Sequence, residues 1–564
     1  MTSIYVCTHS GNDESNDGSE TQPFKTIQKA SLEAVEGTTI LVNPGIYRER
    51  VVPNLSGTRD KPIIYKSTKK HGAIIRGSTP WKPTEYNGEI GIGSIDNELF
   101  PDSSHKNGGN PFEILSCVTP FGREGYPESK LKSVKVSDSN MHYCLGQVFV
   151  NDSMFTQCPY KEEMEMTEQS WFYDKDTKML HVNGVFQHDV IEISNQRRLF
   201  APHKRGLKNI IVDGFVFERC GNQYPNRFWA ICHQQQAGAV GTRSGKFWTI
   251  KNNIIQYANG VGIDWGNEGH RRQDLEIGEN GEAFGSYGHL MKENVIRQNG
   301  AAGTAAFLSN RFKFTNNIVE YNNNLHFKGK QRWESGGLKV HRPNNSVMNK
   351  NIIRYNYCHG IWSDQGAGKN SKFSNNLLYK NEGSGIEFEI GYKVSSKVMH
   401  NIFHENEVGM RFSTAGGGYI YRNLFLSSKK SDILTHVFKR GDKWDSLNVK
   451  VIKNLFVHSP QYAHINAPNT ICTREFNDNT YACNPDEKRF FIKVDKNNRQ
   501  KLEIQKWRTT MKKYNTEHYD ENSECIDPAS CDLNISFDNA DEFKYHINCS
   551  DQNLLDIFTY KQSE

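Results

Sequence analysis

An Asn followed by an aliphatic residue recurs at Asn253, Asn294, Asn317, Asn351, Asn376, Asn401, Asn423 and Asn454, and this repeat constrains the fold more than any other feature. The tightest intervals are 22 to 25 residues, and longer ones fit a coil with a loop inserted on one side. Each unit holds short β-branched or aromatic runs bounded by Asn and Gly, without a helical period. That pattern predicts a parallel β-solenoid. Asn suits its corners because the residue tolerates left-handed backbone and bonds locally, so such residues can stack from coil to coil.

A Gly opens a strand in four successive repeats, GLKVH at Gly337, GIWSD at Gly360, GIEFE at Gly385 and GMRFS at Gly409. Alternation along a strand sends successive side chains to opposite faces. Leu338, Val340, Ile361, Ser363, Ile386, Phe388, Met410 and Phe412 then fill the core. The outward set forms two rows, Lys339, Trp362, Glu387, Arg411 and His341, Asp364, Glu389, Ser413.

Four segments follow from these patterns. Residues 1–79 read as an N-terminal cap and the first coils, with a short amphipathic helix from about Phe24 and one strand across TTILVNPGIYRERV. Residues 80–200 break the repeat and predict a small antiparallel insert, with a strand pair around GQVFVNDSMF and a hairpin in WFYDKDTKMLHV. Residues 201–460 form the main solenoid and its groove, and 461–564 the closing coils and cap, including a helix at LEIQKWRTTMKKY.

Composition narrows the function. The 564 residues carry a net charge of +5 without dense basic runs, so nucleic acid is not an expected partner. No apolar run approaches the ~18 residues of a spanning helix, so no membrane partner is expected. The N-terminus shows no basic region followed by an apolar one, which points to the cytoplasm. Twelve cysteines lack Cys-x-x-Cys spacing, so neither a zinc site nor a disulfide framework is indicated.

Chemistry concentrates in the outward rows. Asp364 lies 13 residues after Asn351 and Glu389 lies 13 after Asn376, so the two acids share one phase of adjacent coils. Parallel strands ~4.8 Å apart place such carboxyls roughly 5 Å apart, the separation of a retaining glycosidase. Two acids this close cannot both ionise easily, which divides them into proton donor and nucleophile. Glu387 aligns with Arg411, and that ion pair predicts a charged, non-donating group. Trp333 and Trp362 offer flat faces for a sugar ring, while Glu334, Lys339 and His341 can bond hydroxyls. Asp264, with Trp265 and His270 behind it, either extends the groove or anchors a coil. No cofactor or metal is required.

Three segments, WESGGLKVH, GIWSDQGAG and NNLLYKNEGSGIEFEIG, together with the insert after the first coils, resemble the β-xylosidases of glycoside hydrolase family 120. The resemblance reaches to about residue 460. It implies an all-β fold, a right-handed parallel β-helix interrupted by a β-sandwich-like module, and a retaining mechanism. By motif position it implies Asp364 as nucleophile, Glu389 as acid/base and Glu334 as a substrate ligand. The chain departs from the family at Trp333, where His is expected, and in its Gly-rich loop after Asp364. The expected activity is a retaining exo-glycosidase, a β-xylosidase acting on an oligosaccharide substrate. The alternatives are a polysaccharide lyase with Lys339 as base, His341 or Arg342 assisting and the acids holding calcium, and a non-catalytic glycan-binding solenoid. The insert suits either a groove wall or an interface between copies, which leaves a homo-oligomer open.

Overall fold

The computed structural model describes residues 3–100, 109–113, 144–222, 238–267, 286–326, 335–365, 368, 370–436, 449–466, 474–493, 497–513, 520–537 and 543–549. It is a right-handed parallel β-helix carrying an antiparallel insert. The chain forms two compact units. One comprises Met1–His289, Asn294–Phe307 and Asn322–Ser335, the other Leu290–Glu293, Leu308–Tyr321 and Gly336–Glu564. Among the described residues no helix is long and apolar enough to cross a membrane.

In the first unit, Ser3–Val6, Thr39–Val42, Ile63–Ser67, Ile210–Asp213 and Thr249–Lys251 pair in parallel succession. A second face runs through Gly45–Tyr47, Ala73–Arg76, Val216–Glu218, Ile254–Gln256 and Val295–Arg297. The opening helix spans Ile27–Glu33, with the Thr26 hydroxyl accepting from the Lys29 amide. The single strand expected across TTILVNPGIYRERV is two strands, Thr39–Val42 and Gly45–Tyr47, because Pro44 lacks an N–H for the ladder and sits at a corner.

Ile63 pairs with Ile210 and Ile74 with Val216, so the β-helix resumes where it stopped and the segment between is an insertion. Its two sheets, one from Ser78–Trp81, Val148–Val150, Ser153–Met154 and Ile191–Ser194, the other from Glu85–Asn87, Ile90–Ser94, Thr156–Gln157, Ser170–Asp174 and Met179–Asn183, enclose a core that includes Trp81, Phe112, Trp171 and Leu180. Ser170–Asp174 and Met179–Asn183 form the hairpin expected in WFYDKDTKMLHV, its turn held by the Asp174 carboxylate, which accepts from the amides of Asp176 and Thr177.

Glu192 of the insert is clamped by arginines of the coils: Arg219 Nη1 lies 2.7 Å from Oε2, and Arg76 Nη1 3.3 Å from Oε1. Arg76 also bonds Glu218 at 2.6 Å. Burial pushes the Glu192 carboxyl up, but hydrogen bonds from Arg48 and Ser78 and the charges of Arg48 and Arg76 outweigh it and bring it down to about 2. A carboxyl lowered on folding adds stability above its unfolded value and loses it as pH falls through the folded one. We therefore expect Glu192→Gln to cost roughly 3 kcal/mol near pH 7 and much less near pH 2. Urea unfolding at both pH values checks this, and an equal loss at both would count against the clamp.

In the second unit one coil has the three strands Ile361–Asp364, Lys372–Ser374 and Leu377–Tyr379, and in the next two coils the first pair runs together as Ser384–Met399 and Val408–Tyr421. Leu338, Val340, Ile361, Ser363, Ile386, Phe388, Met410 and Phe412 are all fully buried inside it. Phe403, Phe425 and Phe456 stack nearly parallel, with centroids 4.6 and 4.9 Å apart. Parallel pairing continues past residue 460 through Arg474–Asn477, Thr480–Ala482 and Glu524–Ile526. The later helix spans Ile504–Lys513.

The repeated Asn residues fill one corner. Asn351 Nδ2 donates to Asn376 Oδ1 at 2.9 Å, Asn376 to Asn401 at 2.9 Å, Asn401 to Asn423 at 2.9 Å, Asn423 to Asn454 at 3.0 Å and Asn454 to Asn479 at 3.2 Å. The preceding residues, Lys350, Asn375, His400, Arg422, Lys453 and Asp478, are all left-handed, with φ between 51° and 58°. A second ladder, Asn356 to Asn381 to Asn406, fills another corner with bonds of 2.9 Å. Asn376 makes four such bonds: it donates to Met348 O and Asn401, and accepts from the Asn351 amide and side chain. Truncation strands buried partners at about 1–3 kcal/mol each, so Asn376→Ala should cost about 3 kcal/mol in chemical denaturation. A loss under about 1 kcal/mol would mean that the corner does not depend on its ladder.

Candidate active site

The four Gly-opened strands align in the expected register. Lys339, Trp362, Glu387 and Arg411 are successive cross-strand partners, as are His341, Asp364, Glu389 and Ser413. The outward face they form is not a solvated surface. Lys339 and His341 are 0% exposed, Asp364 3%, Glu387 4%, Trp362 7% and Glu389 8%. Burying this many ionisable groups is costly unless they are paired.

The pairing is diagonal, each first-row residue reaching the second-row residue of the next coil. Lys339 Nζ donates to Asp364 Oδ2 at 3.1 Å, Trp362 Nε1 donates to Glu389 Oε2 at 3.1 Å, and Ser413 Oγ donates to Glu387 Oε1 at 2.7 Å. Long side chains reach such diagonal neighbours across a sheet. His341 Nε2 lies 3.7 Å from Asp364 Oδ2, and the Gln365 amide donates to Oδ1 at 2.6 Å. Gln365 and Ile390, which follow the two acids, are left-handed at φ 51° and 50°; the strand Ile361–Asp364 ends at the first acid, while Ser384–Met399 runs on past the second.

Electrostatics separate Asp364 from Glu387. Burial raises the Asp364 carboxyl, but Lys339, His341 and the Gln365 amide outweigh it, and it is held below the ordinary carboxylate range. The expectation for Glu387 is overturned. Arg411 Nη1 does lie 3.8 Å from it, yet burial dominates over Arg411 and the Ser413 bond, and the Glu387 carboxyl is raised. A cross-strand alignment visible in sequence carries no information about how much water is excluded.

Trp362 also differs from a simple sugar platform, since Lys339 Nζ sits 3.2 Å from its ring centroid and its indole N–H is committed to Glu389. His359 was not apparent from sequence. Its Nδ1 accepts from the Ser384 amide at 3.0 Å, which assigns the proton to Nε2, 3.1 Å from Glu387 Oε2. The ring meets Trp362 edge-on at 5.1 Å. The only hint was its place directly before Gly360, where the strand opens. Trp333, Glu334 and His270 lie outside the described residues. Asp264, in the other unit, accepts from the Gly266 amide at 2.7 Å, and Trp265 is fully buried. Among the described residues no three His, Cys, Asp or Glu side chains gather as a metal site.

Comparison with known proteins agrees with the fold. The family model described as a right handed beta helix region matches residues 237–425, and a protein family of unknown function, DUF1565, matches residues 9–53. The uncharacterized protein YwoF of Bacillus subtilis (strain 168) is 34% identical over 76 residues, which is 14% of this chain and only 16% of that protein's length. The structure of XylC in complex with xylose superposes with a TM-score of 0.68 at 18% identity, covering 97% of this chain and 89% of that one. The GH136 lacto-N-biosidase from Eubacterium ramulus gives a TM-score of 0.46 at 14% identity, over 81% of this chain and 67% of that one.

Proposed function

We propose that the chain is a retaining exo-acting glycoside hydrolase, a β-xylosidase that releases xylose from xylo-oligosaccharides. The observation that carries this reading is the pairing of Asp364 with Glu389 on adjacent strands, one carboxylate held ionised and the other accepting from Trp362. Strand spacing puts the two roughly 5 Å apart, the gap of a nucleophile and an acid/base acting from opposite sides of one glycosidic bond. The three motif segments and the fold shared with a protein solved with xylose support the choice of sugar.

In the first step Asp364 Oδ attacks the anomeric carbon. The C–O bond to the leaving group breaks, and the leaving oxygen takes its pair and a proton from Glu389. Glu389, now a carboxylate, removes a proton from water as the water oxygen attacks the same carbon and expels Asp364. Lys339 and His341 keep Asp364 anionic before attack and stabilise it as it leaves. Lys339 is engaged with Asp364 as a donor, which disfavours its use as the base of a lyase.

Proton NMR of aryl β-xyloside hydrolysis tests the reading, with the β-anomer of xylose appearing first. An α-anomer as first product, an unsaturated product or no turnover would each reject it.

A further inference from the structure

Beyond the acid pair, the second unit has a cleft on another face of its coils, lined by Lys397, Met399, Tyr419, Tyr421, Ile452, Lys453, Glu475 and Asp478, with a volume of about 490 Å³. The register explains its build. Lys397, Tyr419, Lys450 and Glu475 are successive cross-strand partners, and so are Met399, Tyr421, Ile452 and Asn477. Val398, Ile420 and Val451 point inward and are fully buried, which turns their neighbours outward. The result is an apolar floor of Met399, Tyr421 and Ile452, a Tyr419 ring 39% exposed, and a charged rim.

The two tyrosine rings lie 5.7 Å apart at 36°, and Arg422 braces Tyr421 from 5.1 Å. Lys450 is neutralised by Glu475 at 2.6 Å. Lys397 and Lys453 form no ion pair among the described residues, and with Asp478 they leave donors and an acceptor at the edge. Four strands ~4.8 Å apart span roughly 14 Å, and the volume falls in the range of small-ligand sites. An apolar floor with a polar rim is the complement of a pyranose ring, whose C–H faces stack on aromatics while its equatorial hydroxyls point sideways. A solvated sheet face has no need of such an apolar floor.

We propose that this cleft is a second glycan-binding site, separate from Asp364 and Glu389, which takes two or three pyranose rings of a xylo-oligosaccharide. Only the choice of sugar rests on the glycosidase reading. The lysines further favour rings that carry a carboxylate.

Titration calorimetry with xylotetraose on the Asp364→Asn chain, which binds without turnover, tests it. Two sites are expected, falling to one in Asp364→Asn/Tyr419→Ala and remaining two in Asp364→Asn/Tyr419→Phe, which keeps the ring. Glucuronate-bearing xylo-oligosaccharide should bind the cleft several-fold tighter than xylotetraose, an advantage lost in Lys397→Ala/Lys453→Ala. Stoichiometry unaffected by Tyr419→Ala, or no xylotetraose binding at all, would overturn the proposal. So would self-association that depends on Tyr419 without any xylotetraose bound there. A single site that vanishes with Tyr419→Ala in a chain that hydrolyses no aryl glycoside would leave the cleft standing and the glycosidase reading rejected.

Discussion

Under the proposed mechanism Glu389→Gln is expected to lower kcat/KM for xylo-oligosaccharides on the order of 10³-fold, because general acid assistance supplies about 10²–10⁴, and Asp364→Asn to lower it further. The two losses differ in kind. An aryl xyloside with a good leaving group needs little protonation, so Glu389→Gln forms its glycosyl-enzyme readily and stalls at hydrolysis, giving a burst followed by slow turnover. Azide, which needs no base, then rescues Glu389→Ala and yields a glycosyl azide of retained configuration. Asp364→Gly with azide yields the inverted product instead, since azide takes the place of the nucleophile. Glu387→Gln is the decisive companion. Burial raises the Glu387 carboxyl, so on electrostatics alone it rivals Glu389 as proton donor. Its Oε1, however, accepts from Ser413 at 2.7 Å, its Oε2 lies 3.1 Å from His359 Nε2 without forming a hydrogen bond, and it lies a row away from Asp364. Glu387→Gln should lose about tenfold, mostly in KM, without azide rescue. If azide rescues Glu387→Ala and leaves Glu389→Ala unchanged, the roles of the two glutamates are reversed.

The register of this site was legible because the coils that carry it are nearly equal in length. Gly337, Gly360, Gly385 and Gly409 are spaced so evenly that aligning the four strands on them puts Asp364 beside Glu389. The corner ladder was legible for the same reason. Its twin carries an equally regular signal, since Asn356, Asn381 and Asn406 each follow a ladder Asn by five residues in NIIRYN, NLLYKN and NIFHEN. What sequence could not supply was depth. Alternation says which way a side chain points but not what lies above it, so Lys339 and His341 read as solvent-facing when both are fully buried. The error over Glu387 has the same origin, since Arg411 shows in the pattern and desolvation does not. Diagonal contacts were equally hidden. Trp362 looked like a free platform because its row partners are Lys339 and Glu387, whereas its indole N–H reaches Glu389 in the other row.

Depth is what makes Lys339 the most sensitive position outside the acid pair. Its ammonium is fully buried, donates to Asp364 at 3.1 Å and lies 3.2 Å from the Trp362 ring centroid. Lys339→Met preserves the volume and removes the charge, leaving Asp364 with His341 and one amide against its burial. Losing one partner of a buried pair costs about 3–5 kcal/mol. The pH dependence has a definite sign. Asp364 is held below its unfolded value, so its pairing stabilises the chain above about pH 4 and the benefit fades as pH falls through the folded value. The loss in Lys339→Met is therefore largest near neutrality and small in acid. Under the proposed mechanism activity should move with it: the nucleophile must be ionised, so raising its pKa should shift the acid limb of kcat/KM to higher pH. The double variant Lys339→Met/Asp364→Asn removes the stranded charge and should recover most of the lost stability while staying inactive, because a neutral buried pair carries no ionic desolvation cost. An acid limb unmoved in Lys339→Met, with stability recovered in the double variant, would show that Lys339 supports the fold without tuning the nucleophile.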